Sequence, residues 1–115
     1  MRDLEAARAW YLEVLGLEEI GRWDPEPIMI GAGGTQLALF RARPGATTPA
    51  DDNDGSRLAW RRVAWGTDRP GFERAQTHLR RHGVRFYGPV DHGSAWSIYF
   101  EDLDGHPLEI TCPAG

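Results

Sequence analysis

The residue types best suited to chemistry lie near the C-terminal end of the chain, on two segments that alternate apolar with polar side chains. These segments are 94–101 and 106–112, and the alternation predicts strands that each bury one face. Both apolar faces must point the same way. A register that places Phe100 opposite Leu108 meets this condition, because a slip of one residue would turn one face over. The two strands then pair across a turn at 102–106.

The same register predicts a cluster of polar side chains on the opposite face. Tyr99 lies opposite Glu109 and Ser97 lies opposite Thr111, so a phenol, a carboxylate and hydroxyls share one surface. A carboxylate can accept a proton or bind a metal, and a phenol can donate a hydrogen bond. The residues alone leave a second interpretation open. In it this surface simply faces solvent, and His92, in the preceding loop, is an ordinary loop histidine.

Other side chains with chemical or binding potential are scattered along the chain. His78 and His82 are four residues apart on a predicted helix, a spacing that can bind metal, but the sequence offers no third ligand and solvated surface positions are favoured. Trp60, Trp65 and Trp96 are suited either to an apolar cleft or to the core. The pattern does not decide between these two interpretations of the tryptophans.

The composition limits the classes of function. The chain has 115 residues, 41% of them hydrophobic and 26% charged, which indicates one globular domain over 1–115. The net charge is −4 and no run of arginine exceeds two residues, so nucleic acid is not expected as a partner. No apolar run approaches the roughly 20 residues of a membrane span, and no signal peptide is visible. The single cysteine, Cys112, excludes an internal disulfide and fits a reducing cytoplasm.

Hydrophobic periodicity predicts the same order of elements twice. An apolar stripe at helical spacing, bounded by Asp3 as N-cap and Gly16 as C-cap, predicts a helix near 4–15. A second helix is predicted to begin at Pro70 and to end at Gly83. The strands are expected near 18–23, 27–31, 35–42, 60–67, 84–88, 94–101 and 106–112.

This repeated order predicts an α+β fold of two similar modules that share a curved sheet. Each module is of the βαβββ type, and the first one lacks its opening strand. Module one is expected to span about 1–42 and module two about 58–115. The linker between them, 43–57, is rich in proline, glycine and aspartate.

Three stretches of the chain resemble the vicinal oxygen chelate superfamily, which contains glyoxalases, bleomycin-resistance proteins and extradiol dioxygenases. Residues 3–17 resemble its helix and turn D-L-x-x-A-x-x-F-Y-x-x-V-L-G-L. Residues 62–65, followed by a helix and Gly83, resemble its strand H-V-A-F. Residues 91–109 resemble its ending D-H-x-x-x-x-S-I-Y-F-x-D-P-D-G-N-x-x-E, the most specific of the three because it fixes residue types over 19 positions. Together the stretches cover nearly the whole chain and imply the paired βαβββ fold.

The resemblance also implies a metal site and assigns roles by position. In the superfamily a divalent metal in the curved sheet, such as Fe, Mn, Zn or Ni, chelates two neighbouring oxygens of the substrate. Glu109 matches the metal ligand on the last strand. His92 and Tyr99 match positions that, in extradiol enzymes, assist the substrate and bound oxygen by hydrogen bonding and proton transfer. These two are therefore the candidate catalytic residues.

The chain departs from the ligand set of that superfamily. Arg62 stands where the opening strand of module two carries a histidine ligand, and a guanidinium has no lone pair to give a metal. Leu39 stands at the position of a glutamate ligand of glyoxalase-like members. The opening strand of module one, with any ligand on it, is missing. The one remaining carboxylate, Glu109, does not make a tight transition-metal site.

The favoured function is therefore binding of a small organic molecule in the cleft of the curved sheet, without a metal cofactor. Arg62, Trp60 and Ser97 are the candidate ligand-binding residues. The alternative is a metal-dependent enzyme, dioxygenase-like or glyoxalase-like, whose first ligand lies on the missing N-terminal strand. The sequence does not decide whether the protein is an enzyme.

Two contacts follow from the predicted strands. Arg62 alternates with Val63, so it lies on the same face as Glu109, where its guanidinium is expected to take the place of the metal and to pair with the carboxylate. The missing strand leaves a sheet edge unpaired, and an unpaired edge predicts a homodimer.

Overall fold

The computed structural model describes residues 1–45 and 62–114. Within these ranges the chain forms two helices and seven strands, in the order αβββ followed by βαβββ. This confirms the predicted α+β fold of two modules, the first without an opening strand. The elements are α1 (Leu4–Leu15), β1 (Glu18–Arg22), β2 (Ile28–Ala32), β3 (Thr35–Leu39), β4 (Val63–Gly66), α2 (Arg69–Arg81), β5 (Tyr87–Asp91), β6 (Ala95–Glu101) and β7 (Pro107–Pro113).

Both helices begin at an aspartate that caps the first turn. Asp3 accepts a hydrogen bond from the Ala6 amide at 3.0 Å, and Asp68 accepts one from the Gly71 amide at 2.8 Å. α1 ends at Gly16, whose φ of 68° is the left-handed conformation that glycine adopts without strain. Neither described helix is long and apolar enough to cross a membrane. Each helix buries one stripe of side chains. The stripe of α1 is formed by Leu4, Ala7, Tyr11 and Val14, and that of α2 by Phe72 and Leu79.

The described strands form two sheets, one from each module. The first sheet has the antiparallel order β1-β2-β3. The second has the order β4-β7-β6-β5, in which β4 runs parallel to β7. The predicted register of the last two strands is confirmed, with Phe100 opposite Leu108 and Tyr99 opposite Glu109. One face of the second sheet is therefore apolar and the other polar.

The apolar faces of both sheets and the stripes of both helices meet in one hydrophobic core. Ile30 and Ile98, one from each module, are completely buried in it, and Cys112 is a buried thiol as predicted. Trp65 and Trp96 pack against the core while remaining partly exposed. Trp60 lies outside the described residues.

The two halves of the chain are joined at the turn between β6 and β7. The buried Tyr11 hydroxyl on α1 donates a hydrogen bond to Asp102 Oδ2 at 2.5 Å. Next to it, the Arg2 amide donates to Asp104 Oδ1 at 3.0 Å. The other oxygen of Asp102 accepts from the Asp104 and His106 amides at 2.8 and 2.9 Å, so this carboxylate organises the turn and anchors α1 to it.

The strand predicted at 84–88 forms three residues later, as β5. The reason is the end of α2, where Gly83 adopts a φ of 69° and the Val84 amide donates to the Leu79 carbonyl at 2.9 Å. This hydrogen bond closes the helix C-terminus in the manner of a Schellman motif. The Val84 amide is therefore used at the helix end and not in a strand ladder.

The strand predicted at 35–42 ends at Leu39, and Met1 pairs with the residues that follow. The Met1 amino group donates to the Phe40 carbonyl at 2.7 Å, and the Ala42 amide donates to the Met1 carbonyl at 2.7 Å. These two bonds have the pattern of a parallel bridge, as between β4 and β7 in the second module. Along Thr35–Leu39, the edge of β3 away from β2 pairs with no other described strand.

Candidate functional site

The candidate site is the face of the second sheet that points away from the helices. Because the core face carries Phe100, Leu108 and Ile110, strand alternation places the intervening side chains on the opposite side. We call this surface the polar face, and it is formed by Arg62, Ser97, Tyr99, Glu109 and Thr111.

Glu109 is held in place by hydroxyl groups from the neighbouring strand. The side chain is 18% exposed, and its Oε2 accepts a hydrogen bond from Ser97 Oγ at 2.8 Å. Ser97 is buried, and its Oγ lies 3.2 Å from Thr111 Oγ1, which itself donates to the Trp96 carbonyl at 3.1 Å. One oxygen of the Glu109 carboxylate is therefore fixed, and the other points toward Arg62.

Arg62 lies on the polar face beside Glu109, as strand alternation predicts. Its Nη1 is 3.9 Å from Glu109 Oε1, and its guanidinium carbon is 4.7 Å from the centre of the Tyr99 ring. The first distance is an ion pair without a direct hydrogen bond, so the bidentate pairing that such groups can form is not present. The Arg62 side chain is 39% exposed, and its N–H donors are not used on this carboxylate.

Tyr99 connects Arg62 to His92. The His92 Nε2 and the Tyr99 hydroxyl are 2.6 Å apart, and the two rings meet edge to face with centres 6.2 Å apart. Either the phenol donates to an unprotonated ring nitrogen or the ring N–H donates to the phenol oxygen, so the two side chains form one hydrogen-bonded unit. Tyr87, opposite Tyr99 on β5, extends the aromatic surface with a ring centre 6.4 Å away.

The donor set of the polar face does not fit a divalent metal. Glu109 is a single carboxylate, and the group that faces it, Arg62, is a cation without a lone pair. In residues 1–45 and 62–114, no group of three His, Cys, Asp or Glu side chains is arranged to hold a metal ion. His78 and His82 lie on α2 with ring centres 4.4 Å apart, and His78 Nε2 contacts the Glu13 carbonyl at 2.9 Å, so His78 is engaged with the backbone of α1.

The position predicted for a second carboxylate ligand on the first sheet is corrected by the structure. Leu39 is buried in the core opposite Ile28, so it does not share a face with a metal site. The residue that β3 presents on the exposed face is its neighbour, Ala38. Neither residue can bind a metal, but they occupy opposite sides of the sheet.

A surface that the sequence interpretation missed lies on the first sheet, on the side away from α1. Ile20 has no partner in the ladder because β1 bulges between Glu19 and Gly21, and its side chain lies over Gly31. Trp23 and Phe40 remain 60% and 52% exposed. We call this surface the apolar face; it includes Ile20, Met29 and Ala38, and Trp23 packs over Gly21 on the same side.

A separate groove lies away from the polar face. It has a volume of about 640 Å³ and runs between the end of α1 and α2, on the helical side of the molecule. Its lining includes Val14, Leu15 and Leu79, which belong to or border the core. This groove carries none of the side chains of the polar face.

The chain belongs to the Glyoxalase/Bleomycin resistance protein/Dioxygenase superfamily, whose family model matches residues 1–110. The resemblance inferred from the three sequence stretches is thereby confirmed. No curated protein sequence matches the chain significantly.

Solved structures share this fold over nearly the whole chain. A glyoxalase/dioxygenase from Nostoc punctiforme is 26% identical with a TM-score of 0.80, covering 100% of this chain and 86% of its own. A lactoylglutathione lyase from Agrobacterium tumefaciens is 23% identical with a TM-score of 0.70, covering 96% and 86%. An antibiotic binding protein from a Streptomyces species is 20% identical with a TM-score of 0.73, covering 97% and 88%. The same fold thus serves a lyase and a binding protein.

Proposed function

We propose that the protein binds a small organic molecule on the polar face, with the guanidinium of Arg62 in the place that a metal ion takes in metal-dependent members of the superfamily. The observation that supports this most directly is the position of Arg62, 3.9 Å from the one carboxylate that matches a family metal ligand. A cation is thus already present beside Glu109. Binding proteins such as the Streptomyces antibiotic binding protein share the fold, which is consistent with this proposal.

The proposed roles follow from the contacts on this face. Arg62 provides N–H donors to an acceptor group of the ligand, because its distance from Glu109 leaves them unused on that carboxylate. Ser97 fixes Glu109, and Glu109 keeps the guanidinium over the sheet. Tyr99, paired with His92, offers a second polar contact and an aromatic surface. Trp60 stays a predicted ligand contact outside the described residues.

The proposal includes a homodimer whose two chains together close the ligand cleft. The outward edge of β3 is unpaired among the described strands, and the polar face is only partly covered, with Arg62 well exposed. A symmetric pair of chains can cover both surfaces with one repeated contact. We assign this function to a single domain over 1–115 in the cytoplasm, where Cys112 stays a reduced, buried thiol.

A ligand screen with matched variants tests the binding proposal. Small organic acids and antibiotics would be screened by thermal shift, and hits would be measured by isothermal titration calorimetry. Arg62→Gln should weaken the binding of these hit compounds about tenfold or more, since a hydrogen bond to a charged group contributes about 1.5–3 kcal/mol. Arg81→Gln, an exposed arginine at the end of α2, is the control and should leave the affinity unchanged. Equal affinities for wild type and Arg62→Gln would contradict the proposal.

The second candidate is a metal-dependent enzyme of the superfamily, and the contact between His92 and Tyr99 favours it. A phenol and an imidazole 2.6 Å apart are suited to proton transfer in a reaction. This function requires metal ligands beyond those of the described residues. Elemental analysis separates the candidates: one equivalent of Fe, Mn, Zn or Ni that is lost in Glu109→Gln supports the enzyme. Metal-free wild-type protein that binds organic ligands supports the binding protein.

A further inference from the structure

The stretch 69–85 carries a charge opposite to that of the rest of the chain. It comprises α2 and the residues directly after it, and it holds five of the 13 arginines but one of the 17 acidic residues. Its net charge is therefore +4, while the remaining 8 arginines and 16 acidic residues give −8. The helix buries Phe72 and Leu79 in the core, and its arginines are exposed. A concentrated basic surface on an acidic protein attracts an anionic partner.

Arg69 and Arg80 project from the same side of α2 and lie against aromatic rings. They are separated by close to three full helical turns, which places them about 16 Å apart along the helix axis. The guanidinium carbon of Arg69 is 5.7 Å from the centre of the Trp96 ring, and that of Arg80 is 5.1 Å from the centre of the Phe86 ring. A guanidinium over an aromatic ring keeps N–H donors at its edge for a carboxylate. The rings therefore hold two cations at a defined spacing.

A groove connects these two arginines, between α2 and the strands β5 and β6. It has a volume of about 330 Å³, and its walls include Arg69 and Arg80 from the helix and Pro89 and Trp96 from the strands. A second groove, of about 540 Å³, shares Arg80 with the first and continues to Arg85. We call these two joined grooves the basic channel. Its length suits an extended chain better than a compact anion.

The basic channel has one carboxylate among the described side chains that line it, that of Glu73. Glu73 Oε1 is 3.4 Å from Arg69 Nε, and both side chains are more than half exposed. Such an exposed pair is weak, because water screens the two charges. The contact also engages Nε alone and not the two Nη groups of Arg69. A carboxylate from outside can therefore compete for this guanidinium.

The chemistry of the partner follows from the walls of the basic channel. β5 is the edge strand of the second sheet, but Pro89 within it has no N–H to offer to an added strand. Recognition must therefore go through side chains, and the fork of a guanidinium matches a carboxylate. The spacing of about 16 Å between the two arginines equals about five residues of extended chain. A long phosphate polymer is disfavoured, because the acidic remainder of the chain repels it.

We infer that the basic channel binds an extended acidic segment of a partner protein. One carboxylate of this segment pairs with Arg69, and another, about five residues along, pairs with Arg80. The channel lies on the helical side of the second sheet, whereas the polar face lies on the other side. The partner can therefore bind while the polar face is occupied, and the inference does not depend on the function proposed above.

Fluorescein-labelled peptides titrated with the full chain test this inference by fluorescence anisotropy. The main peptide carries two glutamates about five positions apart in a glycine–serine background. One comparison peptide has glutamine in place of both glutamates, and another has the two glutamates adjacent. A single-stranded oligonucleotide and vesicles that contain phosphatidylserine represent other anionic partners. The protein variants are Arg69→Gln, Arg80→Gln and Glu73→Gln. Arg81→Gln is the matched control, because it removes the same charge beside Arg80 but lines the separate groove between α1 and α2.

The main peptide should bind saturably, and added salt should weaken its binding. Arg69→Gln and Arg80→Gln should each weaken it about tenfold, through the loss of a charged hydrogen bond. Glu73→Gln should strengthen it about twofold, because a weak competitor for Arg69 is removed. Arg81→Gln should change the affinity by less than about twofold. The peptide with adjacent glutamates should bind like the main peptide binds to the single variants, since it reaches one arginine. Unchanged midpoints of thermal unfolding establish that the variants are folded.

Four results would overturn the inference. Equal binding of the glutamine peptide would show that carboxylates are not recognised. Equal weakening by Arg81→Gln and Arg80→Gln would show a diffuse attraction of charges without a site in the channel. Tighter binding of the oligonucleotide or the vesicles, lost in Arg69→Gln, would assign the channel to nucleic acid or to a membrane. The absence of saturable peptide binding at low salt would show that the channel is solvated surface.

Discussion

Replacing Tyr11 by phenylalanine removes the hydroxyl that joins α1 to the turn between β6 and β7. The Tyr11 side chain is buried, and its hydroxyl donates to Asp102 Oδ2 at 2.5 Å. The other oxygen of Asp102 accepts two backbone amides, so the carboxylate cannot rotate to find a new donor without breaking the turn. Tyr11→Phe therefore leaves a buried carboxylate oxygen without its partner, while the aromatic ring still fills the same space.

The cost can be estimated from these contacts. A hydrogen bond to a charged group contributes about 1.5–3 kcal/mol. No cavity cost is added to this loss, because the phenylalanine ring fills the space of the tyrosine ring. We expect the free energy of unfolding to fall by about 2 kcal/mol. For a domain of this length the midpoint of thermal unfolding then falls by about 8 °C.

The effect has a characteristic dependence on pH. Two effects raise the pKa of the Tyr11 phenol far above its ordinary value. The larger effect is burial, and the second is the hydrogen bond to Asp102. In the unfolded chain the phenol loses its proton at about pH 10. In the folded chain the phenol stays protonated at this pH. Above that pH the unfolded state binds fewer protons than the folded state, so this residue's contribution to stability falls by about 1.4 kcal/mol per pH unit. The stability difference between wild type and Tyr11→Phe should therefore shrink above pH 10.

Urea unfolding at neutral pH and at a series of alkaline pH values measures both quantities. Tyr87→Phe is the control, because Tyr87 is the most exposed of the large hydrophobic side chains described. A loss below about 0.5 kcal/mol in Tyr11→Phe at neutral pH would refute the magnitude, since it lies under the range for such a bond. A difference from wild type that stays constant past pH 10 would refute the role of the phenol.

Three further predictions concern the polar face and the assembly. Ser97→Ala removes a buried hydrogen-bond donor to Glu109 Oε2 and should lower the free energy of unfolding by about 1 kcal/mol. An unchanged midpoint of urea unfolding would argue against this role of Ser97. Arg62→His places an imidazole lone pair beside Glu109 and should create affinity for Zn or Ni in calorimetry that wild type lacks; a variant that binds no metal would show that the two positions are not suited to share an ion. The protein should sediment as a species of twice 12.9 kDa, and a stable monomer at micromolar concentration would remove the dimer.

The parts of the fold that depend on strict alternation could be predicted from the sequence. The strands β6 and β7 each bury every second residue, and only one register lets both apolar faces reach the core. That register determines the cross-strand neighbours of Glu109. The position of Arg62 followed from the same rule, since β4 runs in the same ladder.

The parts of the fold that depend on local backbone events could not be predicted from the sequence. The bulge in β1 moves Ile20 to the exposed face, and no change in residue type announces it. The Val84 amide closes α2 instead of starting a strand, although its β-branched side chain favours a strand. The family resemblance placed Leu39 at a ligand position, and an alignment error of one residue moves a side chain to the other face of a strand.

The topology of the two sheets has a consequence for how the chain folds. Every antiparallel pair joins strands that are consecutive in the sequence, and the parallel pair of β4 and β7 is the long-range exception. Hairpins between consecutive strands form on the microsecond scale because their loops are short to close. The β4–β7 pair must enclose α2 and both hairpins of the second module before it can form. Pairing of β4 with β7, which brings Arg62 beside Glu109, should thus follow formation of the hairpins, so the proposed ligand site would assemble only after its other strands are in place.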